Sequence, residues 1–531
     1  MAAYRVAAVI KNPSDEDEFL VVRQSPPPPL QEEEYGRYVD SDLWDLPSAP
    51  LTPLAGDRRS DAAAVEGADS VSEKLDLAKF DLGSALHQVL MQVGPIIAIN
   101  GKWVLLKYVE EAEFGPERFV NTLFVLGSIE NKGDPLQETC KWMSNECALK
   151  LLLEVKPCAS RLGPLVVSGL LTHSVVPSNL TDATMLPCQE YPPGITLVPM
   201  KSRTTVPFRT TNLVIVHPDK AVNALSDSSF VTSGDTLIMD PGCCSQFHKK
   251  LADLVASLPR KLVVFVTHHH YDHIDGLSVV QRCNPDAILL AHENTMNRIG
   301  KGNWSRGYIK ITGGEKICIG GQQLEVISAP GHTDGHLALL HISTNSLIVG
   351  DHCVGQGSAL LDFTAGGNMK DYFNTTYKFL DTSPHVLIPM HGRINLWPKR
   401  MLCGYLKHRR DREASILKVI EDGAETLSDI IGKSYGDIDI KLWIPASSNV
   451  RLHVDHLAYQ QKLPKDFSMK KFRASCTFHF AFQFIWRYMK TKMSATMLVA
   501  VGVAGLAIAY AMRKKAFSTG GGMGSRQRGR V

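Results

Sequence analysis

The sequence predicts an α/β fold, on three observations. Leu262-Val263-Val264-Phe265-Val266 is a short, wholly apolar run, which reads as a strand buried on both faces. Apolar, strand-like runs recur at 324–329, 346–349 and 386–389. Directly after the first run comes His268-His269-His270-Tyr271-Asp272-His273. This places chemistry-bearing residues just past the C-terminal end of a strand, where open α/β sheets keep their sites.

From the N-terminus, residues 4–10 and 18–23 read as two strands around the turn Asn12-Pro13-Ser14. Pro26-Pro27-Pro28-Pro29 imposes an extended loop, and Trp44-Asp45-Leu46-Pro47 follows. Residues 51–73, rich in Ala, Gly, Ser, Asp and Pro, read as a flexible insertion. A helix is expected over 137–153. Residues 213–217 and 235–239 look like paired strands, the second ending in Asp240-Pro241-Gly242. Asp275-Gly276 opens a helix through Val280. Helices are expected again over 408–423, with Ile416, Val419 and Ile420 on one face, and over 427–431 and 450–462.

With 531 residues the chain is too long for one core and suggests two to four domains. Hydrophobic content of 44% is ordinary for a globular protein. A net charge of +3 does not mark the whole body as a nucleic-acid binder. The eleven cysteines are scattered, odd in number and without a CxxC, as expected of a reduced intracellular chain. Cys353 reads as a buried small hydrophobe rather than a ligand. Residues 6–10 are too short for a signal-peptide core, and Asp15, Glu16, Asp17 and Glu18 argue against a transit peptide.

Four imidazoles and a carboxylate within 268–273 suit a divalent metal such as zinc. In an extended segment His268 and His270 point to one side and His269 away. The pattern His-x-His-x-Asp-His resembles the signature of the metallo-β-lactamase fold, an αββα sandwich, here over 190–400. That resemblance implies further ligands in chain order, supplied by Gly331-His332-Thr333, Gly350-Asp351-His352 and Met390-His391-Gly392. It implies that His268, His270 and His332 hold one metal and Asp272, His273 and His391 a second, with Asp351 bridging. Two Zn2+ are expected, with Mn2+ or Fe2+ also compatible with the second site. Asp240 fits a position that buttresses the ligand loops by hydrogen bonds. His336 and His352 are not ligands by spacing and are expected to pack around the site.

Two flanking resemblances extend the reading. Residues 1–185 resemble a Nudix domain, with its hairpin and Trp-x-Leu-Pro. The stretch matching the Nudix helix is His87-Gln88-Val89-Leu90-Met91-Gln92-Val93-Gly94. Gln88, Met91 and Gln92 stand where that family has carboxylates, so no magnesium site is expected and the domain would not hydrolyse nucleotides. Residues 401–470, with Tyr405, His408, Arg412 and Glu413, resemble the winged-helix-like domain attached to the beta-lactamase-like protein 2 group.

The stretch 494–512 lacks any charge, and at ~1.5 Å per residue it would span roughly 28 Å. Arg487, Lys490 and Lys492 precede it, and a basic tail, 513–531, follows. A transmembrane helix is expected there. The chain would then be a single-pass, tail-anchored membrane protein of an organelle outer membrane (mitochondrion or plastid), its catalytic domains facing the cytosol, with residues 478–488 at the interface.

By the family pattern the chain is a hydrolase whose nucleophile is a hydroxide between two zinc ions. Asp272 is expected to orient that hydroxide as well as to bind metal. His270 stands where the fold's di-iron oxygen-reducing members have Glu, which favours hydrolysis over redox chemistry. The interval from Asp351 to His391 is too short for the long RNA-processing insertion of some nuclease members. The resembling group includes endoribonucleases cleaving single-stranded RNA, so RNA is one expected substrate. A small thioester, as for glyoxalase II, is the alternative. Arg393, Lys399, Arg400, Lys407, Arg409 and Arg410 form a basic run that reads as either an RNA contact or a solvated face. A non-enzymatic membrane-tethered scaffold with structural metal is the third reading, which a seven-ligand set disfavours.

Overall fold

A computed structural model describes residues 2–55, 65–67, 73–94, 102–129, 136–153, 161–171, 187–218, 229–355, 357–436 and 438–492. The chain divides into two compact units, residues 1–409 and 410–531.

The first unit opens with the expected hairpin, Ala3–Asn12 against Asp15–Gln24. Ala3–Asn12 also pairs in parallel with Val120–Ser128, so the described strands form one nine-stranded sheet. Alternation along Ala3–Asn12 sends Val6, Ala8 and Ile10 to one face and Ala7 and Val9 to the other. The helix Leu82–Val93 covers the first face with Leu82, Ala85, Leu86 and Val89. Gln92, at one of its carboxylate-free positions, clips Ser48: its Nε2 donates to the Ser48 carbonyl at 2.7 Å. The helix expected over 137–153 is half correct. Cys140–Ser144 is a strand paired with Asp15–Gln24, and the helix runs only over Asn145–Leu153. Satisfying the backbone groups of that sheet edge outweighs local helix propensity. Of the insertion at 51–73, residues 56–64 and 68–72 lie outside the described residues, while Val65–Glu66 pairs with Trp103–Val109.

Asp45 is buried in this sheet and accepts from the Leu46 and Val166 amides. Burial pushes its carboxyl up to about 7. Because the folded value lies above the unfolded one, the stability tied to Asp45 is full below about pH 4 and lost as pH rises through about 7. The loss approaches roughly 4 kcal/mol, from about 1.4 kcal/mol per pH unit. The melting temperature of Asp45→Asn is therefore expected to fall less than that of the parent between about pH 5 and pH 8. Parallel curves from a pH series of thermal melts would contradict this.

Downstream, a seven-stranded and a six-stranded sheet face each other. Val214, Val263, Phe265 and Leu290 of the first pack with Leu324, Val326, Leu339 and Ile348 of the second. Leu251, Leu254, Leu277 and Val280, from the helices His248–Ser257 and Leu277–Cys283, cover the outer face of the first sheet. The expected strands are present: Thr210–Val216 antiparallel to Thr236–Met239, then Leu262–Phe265, Gln322–Ser328, Ser346–Gly350 and Val386–Pro389. The α/β class is thus upheld.

In the second unit the described residues form helices, including Leu427–Ser434 and Trp443–Tyr459. Ile416, Ile430, Trp443, Val450 and Leu457 form its core. Glu413 lies inside it, 2.7 Å from His456 Nδ1 and 3.3 Å from His453 Nδ1.

One part of the expected fold class is corrected. Among the described residues no helix is long and apolar enough to cross a membrane. The expected span, 494–512, and the tail, 513–531, lie outside the described residues. Phe480 and Phe484 pack on the helical core, whereas Phe478 and Phe482 are exposed. The transmembrane helix, and with it the tail-anchored, single-pass outer-membrane location, is withdrawn.

Candidate metal centre

Every ligand loop hangs from the C-terminal end of a buried strand. Leu262–Phe265 delivers His268 and His270; the short helix Tyr271–Ile274 presents Asp272 and His273; Ser346–Gly350 and Val386–Pro389 deliver Asp351 and His391. Two close backbone approaches lock the first loop. A Cβ on Gly242 would lie 1.8 Å from the Asp272 carbonyl oxygen, and one on Gly276 would lie 1.9 Å from that of Pro241. Gly242→Ala is therefore expected to push the 271–274 turn outward, at a cost of about 1–3 kcal/mol in stability. A metal titration with thermal melting checks this; unchanged melting and unchanged metal content would refute it.

All seven predicted residues converge. His268 Nε2 and His332 Nε2 lie 2.9 and 3.1 Å from His270 Nδ1. Asp272 Oδ2 lies 3.3 Å from His391 Nε2 and 3.8 Å from His273 Nε2. Asp351 stands between the clusters. Its Oδ2 is 4.0 Å from His268 Nε2, and its Oδ1 is 3.4 Å from both His273 Nε2 and His391 Nε2. His268, His270, His332 and Asp351 form one group with metal-binding spacing, and Asp272, His273 and His391 another.

The outer nitrogens settle which atoms face inward. His391 Nδ1 donates to the Thr210 carbonyl at 2.9 Å, and His332 Nδ1 to the Leu360 carbonyl. His270 Nε2 donates to Asp362 Oδ2 at 3.1 Å. Asp240 accepts from the Thr267 amide at 2.8 Å, the Thr267 hydroxyl at 2.5 Å and His273 Nδ1 at 2.8 Å. With its proton given to Asp240, the Thr267 hydroxyl accepts from His268 Nδ1 at 2.9 Å. Each imidazole thus turns a lone pair toward the centre, the arrangement by which outer partners orient metal ligands. Asp240 therefore buttresses the ligand loops as expected. His336 and His352 remain outside the clusters. His336 Nε2 accepts from the Asp351 amide at 3.1 Å, and His352 Nε2 meets the Thr376 hydroxyl at 2.8 Å. Cys353 is fully buried and joins neither group.

These residues fit divalent cations. Facing lone pairs 2.9–3.1 Å apart repel unless a positive charge lies between them. In the second cluster His273 Nε2, His391 Nε2 and Asp351 Oδ1 are buried without a hydrogen-bond partner, a costly state that a cation relieves. Burial holds His268 and His332 well below the usual histidine value, hence neutral and ready to ligate. Burial also opposes charge on His391, but Asp351 and Asp272 overcome it and raise the group to about 10. For His273 burial is likewise outweighed, by Asp351, Asp272 and Asp240. Burial opposes ionisation of Asp351, yet His391 and His273 keep it well below the usual carboxylate range. The two carboxylates thus demand positive charge at the centre.

Sequence reasoning missed Asp362 and Thr267. Thr267 directly precedes His268, so its place beside the strand end was a usable signal. Asp362 reads locally as a turn residue: its Oδ1 accepts from the Thr364 amide at 2.8 Å. Its contact with a histidine ninety-two positions away has no sequence signature.

Comparison with known proteins agrees with this geometry. Residues 224–427 match the metallo-beta-lactamase superfamily. A beta-lactamase-like protein 2 homolog of Caenorhabditis elegans is 24% identical over 227 residues, which is 42% of this chain and 74% of the relative. A hydroxyacylglutathione hydrolase of Thermosynechococcus vestitus is 28% identical over 158 residues, 29% of this chain and 60% of that protein. A beta-lactamase domain protein from Burkholderia ambifaria, of solved structure, is 16% identical with a TM-score of 0.46, over 56% of this chain and 94% of its own. Residues 224–427, which carry the paired strand-end ligand clusters, thus form a metallo-beta-lactamase domain of this chain.

Proposed function

We propose that the chain is a binuclear metal-dependent hydrolase acting on a small ester or thioester carbonyl. The observation that carries the reading is Asp351, whose two oxygens face different clusters, one with the buried His273 and His391 Nε2 atoms left without partners and the other with imidazole nitrogens crowded 2.9–3.1 Å apart. His268, His270 and His332 would hold one ion and Asp272, His273 and His391 the other, with Asp351 shared. Imidazole-rich donors suit zinc, with manganese or iron also compatible with the second site. When bound, such ions lower the pKa of water into the neutral range and polarise the scissile carbonyl. Asp272 is placed to take a hydrogen bond from the attacking water and fix its direction. Asp362 and Asp240 hold the imidazoles so that this geometry costs no rearrangement.

The basic run supports a small substrate over a polyanion. Arg393 pairs with Glu111 at 2.9 Å and Glu117 at 3.0 Å, and Lys407 with Glu32 at 2.6 Å. The Arg400 Nε donates to the Pro28 carbonyl at 2.9 Å, and Arg409 is buried. Arg393, Arg400 and Lys407 tie the two sheet systems of the first unit together, which leaves them unsuited to gripping phosphates. The name of the T. vestitus relative points the same way. Single-stranded RNA stands as the second reading, favoured by the C. elegans relative, which belongs to the group that the sequence resembles. The N-terminal sheet is read as a Nudix-like module without its carboxylates, and the second unit as winged-helix-like.

The test is parallel turnover of S-lactoylglutathione and a single-stranded RNA by the zinc-loaded full chain, with Asp272→Ala as blank. Thioester turnover lost in the blank supports the proposal; RNA cleavage alone would replace it with the second reading. Neither activity, with two metals bound, would overturn both substrate classes.

A further inference from the structure

The loop 110–119 joins Trp103–Val109 to Val120–Ser128 in the N-terminal sheet. Glu111 closes its base: the Glu111 amide donates to Asn121 Oδ1 at 3.2 Å, and Glu111 Oε2 accepts from the Val120 amide at 2.6 Å. Ala112 and Phe114 are buried in the same apolar cluster as Met390, the residue before His391. The loop is thus anchored at its base and packed along its length.

Its contacts converge on the residues that hold His391. The strand Val386–Pro389 ends two residues before His391, so the ring depends on neighbours outside that strand. Asn212 holds the main chain through the Pro389 and Gly392 carbonyls, at 2.8 and 2.9 Å. The loop supplies further holds from two sides. Arg393 Nε lies 2.9 Å from Glu111 Oε1 and its Nη1 3.0 Å from Glu117 Oε2, while its Nη2 donates to the Arg118 carbonyl. One guanidinium held by two partly buried carboxylates is a stronger tie than an exposed ion pair. On the other side, the Thr210 carbonyl accepts from His391 Nδ1 at 2.9 Å, and the Thr210 hydroxyl donates to the Glu113 carbonyl at 3.4 Å. The Phe208 ring centroid lies 5.4 Å from that of His391, and Phe208 packs on Gly115, where an added Cβ would come within 3.0 Å of the ring.

We propose, resting on the binuclear reading of the centre, that the 110–119 loop positions His391 for the ion shared with Asp272 and His273. The N-terminal sheet then has a function in cis, which is to complete the second cluster. Glu111 and Glu117 are positioning residues that act through Arg393, and Glu113 acts through Thr210. The first cluster has separate holds, from Asp362, Thr267 and the Leu360 carbonyl, so loosening the loop weakens one ion and spares the other.

The experiment measures both ions on the full chain, by chelator competition with zinc and by the visible absorption of the cobalt-loaded protein. The variants are the double change Glu111→Gln with Glu117→Gln, which alters only the N-terminal loop, and Arg393→Met. In each, one equivalent is expected to weaken by about tenfold or more while the other holds. The cobalt absorption that fades should be the part lost in Asp272→Ala. Arg393→Lys should recover some of the affinity, because it returns a cation to the two carboxylates. Should a variant fold poorly, Glu117→Gln alone reads the same tie at a partly exposed position. Two ions in the parent with unchanged affinities in folded variants, or equal weakening of both ions, would overturn the loop's role alone. Uptake of a single ion by the parent would overturn the binuclear reading and the loop's role with it.

Discussion

Asp351→Asn is expected to abolish turnover and to cut bound metal from two equivalents to one or none. Its carboxylate alone addresses both clusters, with Oδ2 toward His268 and Oδ1 toward His273 and His391. Asparagine keeps the shape but replaces one inward oxygen by an amide NH2, which cannot ligate. The loss should exceed the about 10–100-fold typical of removing a partner behind a ligand. The backbone bond from the Asp351 amide to His336 survives the change, so the loop should stay in place. Metal analysis of the purified variant, beside its far-UV spectrum and melting curve, decides the matter. Two retained equivalents with turnover within about tenfold of the parent would remove Asp351 from the bridging role.

Asp240→Asn is the second large effect, and it reaches both clusters without touching a metal. Asp240 accepts three hydrogen bonds, one holding His273 directly and two holding Thr267, which in turn holds His268. Whichever way the asparagine amide is turned, its NH2 meets a donor. Metal affinity is expected to fall by about 10–100-fold. Stability is expected to drop by about 1–3 kcal/mol from the unsatisfied buried groups. Asp240 has a φ of 51°, a left-handed conformation that Asp and Asn both tolerate, so backbone strain does not confuse the result. Chelator competition would show both metals weakened together. Weakening of only one would break the relay through Thr267.

What could be read in advance divides along a physical line. A short apolar run predicts a strand because burial on both faces requires it, so Leu262–Phe265, Ser346–Gly350 and Val386–Pro389 were legible. The candidate ligands were legible too, those of 268–273 from residue type at a strand end and His332, Asp351 and His391 from the family resemblance. Partners that are backbone carbonyls, such as Thr210 and Leu360, were not, since every residue offers one. The strand Cys140–Ser144 was hidden because its formation depends on a sheet edge far away in sequence. The basic run looked like a nucleic-acid contact or a solvated face because Glu32, Glu111 and Glu117 lie hundreds of positions from it. The long charge-free stretch at 494–512 prompted a membrane span, whereas among the described residues no helix is long and apolar enough to cross a membrane.

By itself, then, the sequence pointed to the α/β class through its apolar runs, and through its family resemblance it named the seven residues that cluster at the strand ends and Asp240 beside them. Only the tertiary structure decided which imidazole nitrogen faces inward, that Asp362 and Thr267 orient the ligands, and that Arg393 and Lys407 of the basic run sit in internal ion pairs. Each of those depends on groups brought together across the chain, and distance in space cannot be read from order in sequence.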